Sequence, residues 1–184
     1  MKMIKKILFW ILSIPFLLVT SIRNFLYNIG VIKSHQFNIP IISIGNLDLG
    51  GSGKSPSIEY LVRLLSNNYK VAVLSRGYGR KSTGFILADS NSDAGIIGDE
   101  SMQYYRKFKN IIISVDSNRV RGINKLIKLN SKPEIVLLDD AYQHRRVKPG
   151  MSILLTKFNY LYSDDNIFPL GNLRESKSNA NRAD

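Results

Sequence analysis

A glycine-rich turn between an apolar run and a helical pattern limits the possible folds of this chain more than any other segment. The apolar run covers residues 41–44, and the turn after it ends in Gly53-Lys54-Ser55. Glycines let successive backbone N–H groups converge on anionic oxygens, while a lysine can reach the β- and γ-phosphates and a serine hydroxyl can ligate Mg²⁺. The segment therefore predicts a strand, a phosphate-binding loop and a helix.

The loop departs from the usual phosphate-loop pattern in one position. Asp48 stands where the pattern has its first glycine, so we expect Gly50 and Gly51 to make the tight turn. The alternative is a flexible loop in which the lysine occurs by chance, but the strand before it and the helix after it favour phosphate binding. The residues predicted to hold the phosphates are Asp48, Leu49, Gly50, Gly51, Ser52, Gly53, Lys54 and Ser55.

Composition indicates one folded domain with an anionic partner. The chain has 184 residues, 44% of them apolar, which is enough for one core. It has no cysteine, so disulfides and thiolate metal sites are excluded. The net charge of +12 suits nucleotide phosphates, anionic lipid or nucleic acid. No basic stretch forms a recognisable nucleic-acid motif, so nucleic acid is not expected as a partner.

The N-terminus indicates a membrane-associating helix. Residues 7–22 carry no charge, with Lys2, Lys5 and Lys6 before them and Arg23 after them. At helical rise they cover about 24 Å, less than the roughly 30 Å of a bilayer core. A cleaved signal peptide and a soluble core helix are the alternatives. We predict that residues 1–37 form the membrane-associating helix and junction, and that residues 38–184 form the phosphate-loop domain.

Apolar runs alternate with helical patterns in the rest of the chain. Such alternation is typical of an α/β protein, here a phosphate-loop NTPase-type, mostly parallel sheet flanked by helices. Ligands of such sheets gather at the carboxyl ends of the strands. The polar segment 176–184 is expected to be loose. The predicted strands are residues 41–44, 71–74, 111–115, 134–138 and 152–155.

Two acids follow the fourth predicted strand. An acid at this place can complete the Mg²⁺ shell of a phosphate-loop site, and we assign that role to Asp139, with Ser55 as the second protein ligand. Adjacent residues of a strand point to opposite faces, so only one of the pair needs to face the loop and Asp140 is free for another role. Ordinary turn chemistry is the alternative for both acids.

Asp99 and Glu100 open a predicted helix that runs through Lys107. Acids in a first turn usually serve the helix cap and dipole. With Asp99 as the cap, however, the third helical position is Met102, which cannot complete a capping box. A carboxylate at this junction can instead take a proton from an attacking hydroxyl, so Asp99 is the candidate base.

Several cations and one histidine lie near the predicted site edge. The basic loop of residues 75–81 and Arg119 can stabilise anionic charge or can be solvated. Gln143 and His144 follow the paired acids, where His144 is either structural or a member of the site.

Taken together, these segments resemble the tetraacyldisaccharide 4'-kinase family. The landmarks occur in family order and span nearly the whole chain. They are the apolar basic N-terminus, Gly45-Asn46 before the phosphate loop, Ser75-Arg76-Gly77-Tyr78-Gly79, Gly98-Asp99-Glu100, Asn118-Arg119, Asp139-Asp140 with Gln143-His144, and Pro169-Leu170-Gly171 with Leu173-Arg174-Glu175.

The resemblance implies transfer of the γ-phosphate of ATP, with Mg²⁺, to the 4'-hydroxyl of a tetraacylated disaccharide 1-phosphate during lipid A synthesis. It implies catalytic roles for Lys54, Asp99 and Asp139, and positions near the site for Arg119, His144, Arg174 and Glu175. It also implies the cytoplasmic face of a bacterial inner membrane, an acylated disaccharide lipid as substrate, an anionic membrane surface as partner, and no protein partner.

The chain is shorter than the family pattern. It stops at Asp184, where the family continues into a second portion with a histidine and a segment that closes over ATP. We expect either a fragment or a naturally short chain, with slow or absent transfer. The competing functions are a membrane-tethered ATPase or GTPase that uses water as acceptor, and a catalytically silent nucleotide-binding remnant.

Overall fold

Residues 3–184, the part of the chain that the computed structural model describes, form a six-stranded sheet with the order β3-β4-β2-β5-β1-β6. Five strands are parallel, and the short β3 pairs antiparallel with β4 at one edge. The expected mostly parallel sheet is confirmed. The sequence pattern does not predict β3, because this strand has only two residues. The strands are β1 (Ile41–Asn46), β2 (Val71–Ser75), β3 (Ile86–Leu87), β4 (Ile112–Val115), β5 (Ile135–Asp139) and β6 (Met151–Leu155).

Helices cover both faces of the sheet. Alternate residues of β5 point to opposite faces, so Leu137 packs on the side of α2 and α4 while Val136 and Leu138 pack on the side of α5. This doubly covered arrangement explains why the strands are continuous apolar runs. The helices are α1 (Met3–Asn28), α2 (Lys54–Leu65), α3 (Ala94–Ile97), α4 (Asp99–Lys107) and α5 (Arg119–Leu126).

The N-terminal helix α1 is mostly exposed and apolar. By length and composition alone it could cross a membrane, with a mean hydropathy of 1.8 in a window that is 6% buried. It continues through Pro15, and it contacts the rest of the chain through the buried side chains of Ser13 and Asn24. Lys2 of the predicted basic flank lies outside the described residues. The boundary between residues 37 and 38 stays a prediction.

The last residues pack on the sheet. They include a short 3₁₀ helix, Lys177–Arg182, and the Tyr142 hydroxyl donates a 2.6 Å hydrogen bond to the Asn179 carbonyl. The backbone N–H of Ser152 in β6 also donates to the Asp184 carboxylate at 2.8 Å. The expectation of a loose segment at 176–184 is therefore wrong, because polar side chains that lack periodicity still find partners along the edge strand.

Candidate active site

The phosphate loop lies at the carboxyl end of β1, between Asn46 and the first residue of α2. Gly50 and Gly53 have φ values of 110° and 84°, in the left-handed region that favours glycine. Within residues 3–184, the backbone N–H groups from Gly50 to Ser55 donate to no other group of the protein. These amides surround the N-terminus of a helix, so they form an anion-binding surface.

The first residues of the predicted loop already have partners in the protein. The backbone N–H of Leu49 donates to the Asn172 carbonyl at 2.8 Å. The buried Asp48 carboxylate pairs with the Lys157 ammonium, with 3.0 Å between Oδ2 and Nζ. Asp48 and Leu49 therefore hold the loop in place, and the amides that are available to a phosphate begin at Gly50.

The Lys54 ammonium is held above this loop by oxygen atoms. Its Nζ lies 3.1 Å from Asn46 Oδ1, 3.5 Å from the Gly50 carbonyl oxygen and 3.6 Å from Asp140 Oδ1. The Lys54 side chain is 12% exposed, so its charge acts in a partly desolvated site. An anion above the loop would meet this charge directly.

Asp139 is the most deeply buried acid of the site, with 1% exposure. Its Oδ2 accepts a 3.4 Å hydrogen bond from the Tyr104 hydroxyl, while its Oδ1 has no partner within the described residues. Burial raises the pKa of Asp139 to about 6, with further contributions from the Glu100 and Asp140 charges. The same burial raises the pKa of the Tyr104 hydroxyl above its ordinary value.

Oxygen atoms from three elements meet beside the loop. The Ser55 hydroxyl of α2 donates to Glu100 Oε1 of α4 at 3.4 Å. Asp139 of β5 lies near the same carboxylate, because the Glu100 charge contributes to the raised pKa of Asp139. Residues 3–184 contain no cluster of three or more histidines, cysteines or acids that could hold a metal ion. The group therefore consists of two carboxylates and one hydroxyl, a set of hard oxygen donors that suits Mg²⁺.

Asp99 is the first residue of α4, and the residue that caps the helix is Gly98, with a φ of 84°. The alternative interpretation of Asp99 as the cap is therefore wrong. The Asp99 side chain is exposed and lines a cavity of about 390 Å³ together with Met102, Gln103 and Arg106.

Asp140 turns back toward the phosphate loop because its backbone leaves the extended conformation, with a φ of 44°. Its carboxylate oxygens each lie 3.3 Å from Arg174 Nη1, and Arg174 Nε donates to the Asp48 carbonyl at 3.0 Å. Both acids of the pair thus lie near Lys54, whereas strand alternation required only one of them to face the loop. Arg174 thus connects the Asp140 carboxylate to Asp48 at the start of the loop.

Arg119 is 2% exposed and lies beneath the site. Its Nη1 donates to the Asp116 carbonyl at 2.6 Å, and its Nη2 donates to the Asp139 carbonyl at 2.9 Å. Burial lowers its pKa to about 10, so the guanidinium stays charged at neutral pH. These two hydrogen bonds connect the end of β5 to the segment that follows β4.

Gln143 and Glu175 connect the site to helix α1, whereas His144 lies apart from the site. Gln143 Nε2 donates to the Asn46 carbonyl at 2.8 Å and to Glu175 Oε1 at 3.2 Å, and Glu175 Oε2 accepts from Asn24 of α1 at 2.7 Å. Burial, together with nearby guanidinium groups, lowers the pKa of His144 to about 4, so its imidazole is neutral at physiological pH. It lines a separate cavity of about 860 Å³ at the end of α1.

Three residues that contribute to the site were not assigned a role from the sequence. Asn46 orients Lys54, Tyr104 contacts Asp139, and Lys157 pairs with Asp48. Asn46 stands in a motif that the resemblance singled out, and Tyr104 lies one helical turn after Glu100, which are usable signals. Lys157 has no comparable signal because it lies far from the loop in sequence.

The sheet order, the loop geometry and the acid at the end of a neighbouring strand define a phosphate-loop protein of the α/β class. Comparison with known protein families identifies a particular family within this class. The family model described as tetraacyldisaccharide-1-P 4'-kinase matches residues 5–184, and the chain belongs to this family.

Individual relatives agree with this assignment. The chain is 57% identical to the tetraacyldisaccharide 4'-kinase of Flavobacterium johnsoniae over 183 residues, which cover 100% of this chain and 54% of the relative. It is 51% identical to that of Bacteroides thetaiotaomicron, over 90% of this chain and 44% of the relative. A crystal structure of the "apo" form of LpxK from Aquifex aeolicus in complex with ATP matches with a TM-score of 0.84 and 35% identity, over 94% of this chain and 55% of that one. The chain spans about half the length of the curated relatives that it matches.

Proposed function

We propose that this chain is the nucleotide-binding part of a kinase that transfers the γ-phosphate of ATP to the 4'-hydroxyl of a tetraacyldisaccharide 1-phosphate in lipid A synthesis. One observation carries the proposal: loop amides that donate to no group within residues 3–184 converge with the Lys54 ammonium and the buried Asp139 carboxylate at the carboxyl ends of neighbouring strands. Family membership and the ATP complex of the Aquifex aeolicus structure support the choice of nucleotide and acceptor.

The amides from Gly50 to Ser55 and the Lys54 ammonium hold the β- and γ-phosphates in this proposal. When an anion enters, Lys54 exchanges its contacts with Asn46 Oδ1 and Asp140 Oδ1, at 3.1 and 3.6 Å, for charge-assisted hydrogen bonds to the phosphate oxygens. Arg174 then retains Asp140, so the acid is not left without a cation.

The donor set fits Mg²⁺. Asp139 Oδ1 is buried without a partner in the described residues, which is the kind of atom that a cation would satisfy. We assign the ion to Asp139 and Ser55, with Glu100 next to them as a third oxygen donor. When bound, Mg²⁺ neutralises charge that develops on the phosphate oxygens.

Asp99 is our candidate for the base that accepts the proton of the sugar hydroxyl. It lies on the first turn of α4, next to Glu100, and its carboxylate opens into a cavity rather than into the core. The first turn of α4 adjoins the phosphate loop, because Glu100 Oε1 accepts a 3.4 Å hydrogen bond from the Ser55 hydroxyl. Arg106 at the same cavity can offset the acceptor's negative charge.

Helix α1 places this site at a lipid surface in the proposal. Ser13 Oγ donates to the Ile167 carbonyl at 3.1 Å and Asn24 binds Glu175, so the helix is held alongside the body from Ser13 onward. The charge-free residues 7–22 are mostly exposed, with Lys5 and Lys6 before them and Arg23 after them, so a helix lying at the membrane interface keeps these charges among the headgroups. The helix therefore suits insertion into one leaflet, on the cytoplasmic side where ATP is available.

The experiment is incubation of the protein with γ-labelled ATP and the acylated disaccharide. Label on the lipid supports the kinase, whereas lipid-independent release of free phosphate supports an ATPase. Asp99→Ala should reduce transfer by about 100-fold or more while ATP binding stays within about 2-fold. Glu134→Ala, at the opposite end of the sheet, is the matched control and should leave both unchanged. Equal transfer by wild type and Asp99→Ala would refute the assignment of the base.

A further inference from the structure

The turn that follows β6 carries the most exposed aromatic side chain that the structure describes. We define the β6 turn as residues 157–161, a tight turn closed by an antiparallel bridge between Lys157 and Tyr160. Phe158 at its tip is 96% exposed, and Leu161 is 43% exposed. A single exposed apolar residue needs no explanation, but this turn presents two exposed apolar side chains within four residues, and their burial in an apolar environment would be favourable.

The base of the β6 turn contacts the phosphate loop. Lys157 Nζ lies 3.0 Å from Asp48 Oδ2, and Asp48 Oδ1 accepts a 2.8 Å hydrogen bond from Asn46 Nδ2. Asn46 in turn accepts from Lys54 Nζ at 3.1 Å. Three side chains, those of Lys157, Asp48 and Asn46, thus connect the turn to Lys54, the lysine that we assign to the phosphates.

The segment after the turn contacts helix α1. The Phe168 ring packs edge-on against Phe16, with 5.9 Å between ring centroids, and Phe168 remains 43% exposed. Ser13 of α1 also accepts a 3.2 Å hydrogen bond from the Leu170 backbone N–H. Phe168 therefore adjoins the apolar helix, and the Tyr160 hydroxyl of the β6 turn donates a 3.0 Å hydrogen bond to Asp165 in the same segment.

We propose that the β6 turn is a second lipid-contacting element, in which Phe158 and Leu161 enter an anionic bilayer surface beside α1. This inference rests on the proposed membrane association of α1. A lipid surface is the occupant that the observations favour, because the β6 turn contacts the segment that packs on α1 and the chain carries a net charge of +12. Through Lys157, contact of the turn with lipid stabilises the arrangement of Asp48, Asn46 and Lys54 that receives nucleotide.

Tryptophan fluorescence tests the lipid contact directly. The chain has one tryptophan, Trp10 in α1, so Trp10→Phe with Phe158→Trp gives a protein that reports only on the turn. Vesicles of phosphatidylcholine and phosphatidylglycerol should shift its emission to the blue, and brominated lipids should quench it. Tyr69→Trp in the same background is the control, since Tyr69 is half-exposed just before β2, at the opposite end of the sheet, and should show neither effect.

Vesicle sedimentation measures the strength of the contact. Phe158→Ser should weaken partitioning by about 10-fold or more, the value expected for withdrawing one phenylalanine from an apolar environment. Tyr69→Ser should not change it. If tryptophan at position 158 responds like that at position 69 while native Trp10 responds to vesicles, the turn proposal is refuted and α1 association stands. Blue-shifted emission of the tryptophan at position 158 without vesicles would indicate that the turn contacts a protein surface instead, and would also refute the turn proposal.

Nucleotide affinity measures the connection to the phosphate loop. Vesicles should tighten ATP binding to the wild type by about 5-fold or more, the lower range of coupling between two sites. Lys157→Gln should remove this increase while tryptophan at position 158 still inserts; Lys132→Gln, an exposed lysine before β5, should retain it. Unchanged ATP affinity of the wild type with vesicles would refute the connection. None of these readouts requires phosphate transfer, so failure of the kinase assignment would be seen separately.

Discussion

Asp139→Asn should make the protein more stable while removing the proposed metal site. Asp139 is 1% exposed, and the Glu100 and Asp140 charges add to the cost of ionising it. An asparagine has nearly the same shape and no charge. It can still accept from the Tyr104 hydroxyl, and its amide group can donate to Glu100.

The magnitude follows from the pKa. Folding raises the pKa of Asp139 from 3.8 to about 6. Between these two values the folded state binds more protons than the unfolded state, so the stability contributed by this group falls as pH rises and the loss is complete above pH 6. One pKa unit is about 1.4 kcal/mol, so at pH 8 the ionised Asp139 lowers the free energy of unfolding by about 3 kcal/mol. At pH 5 the loss is about 1.5 kcal/mol.

The assay is thermal unfolding of wild type and variant without Mg²⁺ or nucleotide. Asp139→Asn should raise Tm by about 5 °C or more at pH 8, and the gain should shrink by about half at pH 5. With Mg²⁺ and ATP present, the wild type should gain stability that the variant does not, because the bound ligands stabilise only a protein that binds them.

Asp140→Asn is the matched control. Asp140 is 37% exposed and pairs with Lys54 and Arg174. Loss of these pairs should offset the relief that Asp139 gains when the neighbouring charge is removed, so the variant should not be more stable than the wild type. Asparagine tolerates the left-handed backbone at this position, so the change adds no strain. If Asp139→Asn has a lower Tm than wild type at pH 8, or an advantage that does not depend on pH, the reasoning from burial and charge is refuted.

Three further substitutions, one of them with a matched control, test the packing around the site and the attachment of α1. Gly45→Ala should lower the free energy of unfolding in urea by about 2–3 kcal/mol, because an added Cβ would lie 2.7 Å from Tyr142 Cβ. Gly150→Ala, where the nearest atom would be 3.6 Å away, is its control and should cost less than about 1 kcal/mol. Arg119→Met should lower the free energy of unfolding by about 2–4 kcal/mol in the same assay, because two buried carbonyls lose their hydrogen-bond donors. An unchanged free energy would show that other donors replace the guanidinium. Glu175→Ala should release α1 and increase proteolysis of the chain before β1. The reason is that Glu175 is 3% exposed and accepts hydrogen bonds from side chains of α1 and of two other segments. Unchanged proteolysis would mean that the other contacts hold the helix.

Local patterns in the chain were enough to predict the fold class. Continuous apolar runs require a sheet that is covered on both faces, and a glycine-rich turn between a strand and a helix places an anion site at one edge of that sheet. These features depend on residues that are neighbours in sequence, such as those from Gly50 to Ser55. Segment 176–184 shows the limit of such patterns, because its partners, including Tyr142 and Ser152, come from distant positions.

The partners of each charged group followed from the packing of distant segments. Asp139 and Asp140 are identical neighbours in the chain, yet burial raises the pKa of the first, while a left-handed backbone turns the second toward Lys54 and Arg174. Lys157 reaches Asp48 across more than one hundred residues of chain. The physical reason is that hydrophobic periodicity is a local property, whereas desolvation and Coulomb interactions depend on which atoms the finished fold brings within a few ångströms of one another.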